Sequence, residues 1–73
     1  MYNYLVAYNF NKEGYLTPAT GTMQISRARK IKSFADINFL EEFIQSNVEG
    51  ASNVAIYNYI LVNKGKGVDK IYG

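Results

Sequence analysis

The chain contains no cysteine and no histidine. The first absence excludes disulfides and thiolate metal sites. The second removes the commonest metal ligand and the commonest general base at neutral pH. Serine and threonine therefore have no imidazole to activate them. Glu41 and Glu42 are adjacent and fit a solvated helix face better than a catalytic acid pair. No enzyme activity, cofactor or metal is expected. No apolar run approaches the ~20 residues needed to cross a bilayer, and no basic-then-apolar leader opens the chain. A location in the cytoplasm is the expectation, with which missing cysteine is compatible.

A chain of 73 residues makes one domain. A core of that size supplies only ~3–5 kcal/mol, and many such chains add a disulfide, a metal or a second subunit. With cysteine and histidine absent, a protein partner or a second copy is the remaining staple.

Aromatic and β-branched residues are plentiful. Residues 2–10 read as the central strand. Tyr2, Tyr4, Val6, Tyr8 and Phe10 share one face at period two, and Asn3, Leu5, Ala7 and Asn9 share the other. Asn11 to Gly14 form a turn. The single proline, Pro18, belongs at an edge or a strand start. Residues 19–27 alternate cleanly, with Met23 and Ile25 inward and Thr20, Thr22 and Gln24 outward, as in an edge strand.

Ser33 opens a helix over residues 34–47, with Asp36 completing a variant capping box. Ile37, Leu40, Phe43, Ile44 and Val48 line its apolar side, and Gly50 stops it. Residues 54–62 read as the last strand, with Val54, Ile56, Asn58, Ile60 and Val62 on one face and Ala55, Tyr57, Tyr59 and Leu61 on the other. The fold class is α+β. It is a ββαβ unit with a three-stranded antiparallel sheet in order 2-1-3 and one helix on one face. The domain spans 1–63, and 64–73 reads as a mobile Gly/Lys-rich tail.

One helix covers one sheet face. Placing Tyr4, Val6, Tyr8, Met23, Ile25, Ile56 and Ile60 under it leaves Leu5, Ala7, Tyr57, Tyr59 and Leu61 uncovered. Those five are the candidate protein interface, and pairing of two such faces would give a homodimer. The reverse assignment, with Tyr4, Val6 and Tyr8 uncovered, stays open, because a one-residue slip exchanges the faces. The tail residues Val68, Ile71 and Tyr72 are a third candidate cover.

A second candidate site is basic. Arg27, Arg29, Lys30 and Lys32 precede the helix, and Lys64 and Lys66 follow the last strand at the same end of the sheet, beside Tyr2. Cations next to an aromatic suit phosphates and stacked bases, although the net charge is only +2. Gly65-Lys66-Gly67 lacks the rest of a phosphate loop.

At Tyr4-Leu-Val-Ala-Tyr8, Ser33-Phe-Ala-Asp-Ile37 and Asn53-Val-Ala-Ile-Tyr-Asn-Tyr-Ile60, the chain resembles short uncharacterised proteins of phages and prophages of Gram-positive bacteria. The resemblance implies a small cytoplasmic accessory protein that binds and blocks a host protein, in some cases a component of antiviral defence. It assigns no functional residue. Nucleic-acid or nucleotide binding and a structural homo-oligomer are the alternatives.

Overall fold

A computed structural model describes residues 1–65. Four elements follow one another: β1 (Tyr2–Lys12), β2 (Ala19–Arg27), α1 (Phe34–Asn47) and β3 (Ala51–Lys64). They form the expected α+β unit. The sheet order is β2-β1-β3, with both pairings antiparallel. β3 starts three residues earlier than its alternation predicts and runs on through Lys64, so that residue belongs to the sheet rather than to a tail. The expectations for Lys66, Val68, Ile71 and Tyr72 lie outside the described residues.

The β1–β2 connection closes by a turn in which the Tyr15 amide donates to the Lys12 carbonyl at 3.0 Å. Gly14 holds φ of 86° there, a value that side chains other than glycine rarely adopt. Ser33 caps α1 as predicted, its hydroxyl accepting from the Asp36 amide at 3.4 Å. The carboxylate of Asp36 accepts from the Lys32 amide at 2.9 Å, one residue earlier than in the usual capping box. The Tyr4 hydroxyl accepts from the Ile31 amide at 3.0 Å and so ties the β2–α1 crossover to the central strand.

The core lies between α1 and one sheet face. Tyr4, Val6, Tyr8 and Phe10 of β1 meet Ile25, Leu40, Ile44 and Val54. Thus β1 and β2 present the expected residues to the helix.

β3 does not. Its register against β1 shifts between Ala7 and Tyr8 and again between Asn3 and Tyr4. Tyr57 and Val62 are the extra residues at these two bulges. Between them the strand is inverted relative to simple alternation. Tyr59 lies opposite Val6 and Leu61 opposite Tyr4, on the helix side, whereas Ile60 lies opposite Leu5 on the far side. The edge-to-face contact of Tyr59 with Tyr4, 5.9 Å between ring centres, agrees with this. Two expectations are therefore corrected. Ile60 is not under the helix, and Leu5, Ala7, Tyr57, Tyr59 and Leu61 do not share one open face. A bulge adds a residue without changing composition, so period-two reading cannot see it.

The face away from the helix is mostly polar. Its rows pair Asn3 with Asn63, Leu5 with Ile60, Ala7 with Asn58 and Asn9 with Ala55. Asn3 links all three strands. Its amide donates to Asn63 Oδ1 at 2.6 Å, and its own Oδ1 accepts from the Ser26 hydroxyl. Broad apolar pairing of this face with a second copy has little surface to use.

Candidate protein-binding surface

The C-terminal half of β3 carries a continuous run of exposed residues that includes five large apolar ones. Every residue from 57 to 65 is exposed. Tyr57, Tyr59, Ile60, Leu61 and Val62 fall in this run, and no charge occurs between Glu49 and Lys64. Beside it stands Phe34, 88% exposed at the first position of α1. A groove of about 740 Å³ runs between the helix start and the strand; Phe34, Ile37, Ile56, Tyr57 and Tyr59 give it its apolar lining. The sequence reading missed Phe34 as a surface residue. The signal was its position off the Ile37–Leu40–Ile44 stripe, directly after the cap.

The outer edge of β3 is divided in two. At its N-terminal half, helix side chains take up the backbone. Glu41 Oε2 accepts from the Ile56 amide at 2.8 Å, and Gln45 Oε1 accepts from the Val54 amide at 3.5 Å. Glu41 is thus an edge cap rather than the solvated acid expected from sequence. Beyond Ile56, no hydrogen bond to the outer edge is made among the described residues.

Backbone alternation tells which groups point outward there. In antiparallel pairs, hydrogen-bonded and non-hydrogen-bonded rows alternate. Val54 and Ile56 already point out to the helix, and the Gly65 amide donates to the Met1 carbonyl at 2.8 Å. The odd-numbered residues of β1 therefore bond to β3. Asn58 and Ile60, opposite Ala7 and Leu5, point inward. Tyr59 and Leu61, opposite Val6 and Tyr4, point their N–H and C=O groups outward, away from β1.

The basic end is partly assembled. Lys64 Nζ lies 5.4 Å from the Tyr2 ring centre and Lys30 Nζ lies 6.0 Å from it. Arg29 and Lys32 are exposed nearby in sequence. Arg27 is corrected out of this group. It is 2% exposed, and its Nη2 pairs with Asp36 Oδ1 at 3.3 Å. A guanidinium enclosed by protein and spent on a carboxylate has no reach to an external phosphate.

Asp36 holds the crossover to the helix, and its carboxyl is displaced below the usual carboxylate range. The backbone N–H of Lys32 is the main cause, with the Arg27 guanidinium and the Ser33 amide adding to it against the opposing effect of burial. A depressed folded-state pKa gives stability that is present above the unfolded value near ~3.9 and lost as pH falls through the folded value. The thermal midpoint should therefore drop on acidification below about pH 4. Asp36→Asn should lower the midpoint at pH 7 and flatten this acid limb, as read by circular dichroism across pH. An acid limb of unchanged steepness in the variant would remove Asp36 from the account.

Among the described residues, no group of three His, Cys, Asp or Glu side chains could hold a metal ion, and no helix is long and apolar enough to cross a membrane. No family model, curated protein or solved structure matches this chain.

Proposed function

We propose that this chain is a small non-catalytic binding protein that acts on a protein target through the exposed half of β3 and the adjoining groove. The observation that carries the reading is the uncharged apolar strip at 57–62 beside the exposed ring of Phe34. Aromatic residues offer large, rigid contact area and recur at the energetic centres of protein interfaces. In line with the resemblance of its sequence, the proposed origin is a phage or prophage, and the proposed target is a protein of a Gram-positive host, with blocking as the mode of action.

The test is capture from a Gram-positive lysate, with and without nuclease, by wild-type protein and by Phe34→Asp and Tyr57→Asp. Both side chains are exposed, so the variants should keep the wild-type circular dichroism spectrum. A protein held by wild type, lost in both variants and indifferent to nuclease is the expected result. Equal recovery by all three would reject the surface. One observation favours a second reading, nucleic-acid binding: Lys30 and Lys64 flank Tyr2. Loss of the captured protein on nuclease treatment would move the function to that end.

A further inference from the structure

We infer that the open edge of β3 pairs with the β3 edge of a second copy, and that the proposed binding surface is complete only in this pair. The inference rests on the reading of the β3 strip as a binding surface and names the partner at that strip.

Three observations carry it. The first is hydrogen-bond parity. Tyr59 and Leu61 are the two residues of the regular segment whose backbone groups point outward. A two-fold axis at Ile60 sets Tyr59 opposite the partner's Leu61 and Leu61 opposite the partner's Tyr59. Each of these is a hydrogen-bonded row, and Ile60 meets the partner's Ile60 in the close, non-bonded row between them. The bulges at Tyr57 and Val62 end the regular pairing on either side.

The second is charge. Nothing ionised lies in the paired segment, so two-fold symmetry sets no like charges opposite one another. The same axis sets Lys64 level with the partner's Ile56, whose amide is held by the partner's Glu41. Ammonium and carboxylate thereby meet at each end of the seam.

The third is area. Phe34, Tyr57 and Tyr59 are 88%, 59% and 42% exposed. At ~150–250 Å² for a full aromatic, they expose roughly 300–450 Å² in each copy, and edge pairing gathers the two sets on one side of the seam. The seam itself is closed by the strand backbone and by Ile60 against the partner's Ile60 on the opposite side of the sheet.

An axis perpendicular to the sheet leaves both helices on the same side of a continuous six-stranded sheet. Tyr59 and Leu61 of each copy then floor one trough between the two helices, with a Phe34 on each wall.

Cysteine placement tests the axis, and the chain has no native cysteine to interfere. Adjacent residues of a non-bonded row come within disulfide reach. Ile60→Cys should form a disulfide dimer under mild oxidation, with an unchanged circular dichroism spectrum, much faster than Thr22→Cys on the exposed β2 edge. Ile60→Lys and Ile60→Glu should each be monomeric at micromolar concentration and should pair when mixed. In sedimentation equilibrium, wild type should run at twice the 8.3 kDa of one chain. An 8.3 kDa wild-type monomer together with Ile60→Cys linking no faster than Thr22→Cys overturns the inference, whatever else covers the edge, residues 66–73 included. Capture sensitive to Phe34 and Tyr57 but unaffected by Ile60→Lys would reject the pair while leaving the binding surface in place.

Discussion

Leu40→Ala should leave the chain largely unfolded at 37 °C. Leu40 and Ile44 are the two buried residues of α1, and both are fully enclosed. They are what the helix offers to Val6 and Ile25 beneath it, both also fully buried. A buried leucine truncated to alanine loses its transfer free energy and leaves a cavity, together ~2–5 kcal/mol. That range overlaps the whole ~3–5 kcal/mol that a core of this size supplies. No disulfide tempers the loss. For a domain of this length, each kcal/mol moves the midpoint by ~4–8 °C, so a fall of at least about 10 °C is expected in a thermal melt. A shift of two or three degrees would mean that the helix contributes little to the sheet's stability.

Gly21→Val should also destabilise the chain, by ~1–3 kcal/mol. Gly21 lies directly opposite Tyr8. Its backbone conformation is ordinary, and space is the constraint. A Cβ at this position would sit 2.8 Å from the Tyr8 hydroxyl oxygen and 2.9 Å from the ring carbon that bears it. The ring of Tyr8 is itself buried, with the centre of the Phe10 ring 5.7 Å from its own. Burial also raises the pKa of the Tyr8 hydroxyl. The added side chain must push an enclosed ring. Shortening the ring should relieve the conflict, so Gly21→Val should cost less in a Tyr8→Leu background than alone. Additive costs in urea titrations of the four proteins would place the damage elsewhere.

How much of this was readable beforehand depended on the element. β1 and β2 were legible because each keeps strict period two, and the helix because its cap and apolar stripe agree. The antiparallel order followed from a hairpin and one crossover. β3 was legible as a strand but not in its facing. Between Tyr57 and Val62 the bulges exchange the two sides, so Ile60 and Tyr59 trade places with no trace in residue type. Arg27 misled for a different reason. Its neighbours Arg29 and Lys30 are solvated, and only the fold brings Asp36 within 3.3 Å of it. Glu41 was likewise ordinary as a helix residue. Its role exists only because the helix runs beside the edge of β3.

That placement of Glu41 and Gln45 bears on self-templated fibre growth. The stretch 54–63 is rich in β-formers, uncharged, and free of proline and glycine. Such a segment, offered along its full length, is the kind that stacks into cross-β fibrils. Docking of the helix keeps the Val54 and Ile56 amides occupied and shortens the exposed template to a few residues, bounded by bulges that bend it. A chain whose helix has come away frees both amides at once, and the uncharged stretch is then offered as a longer template for stacking.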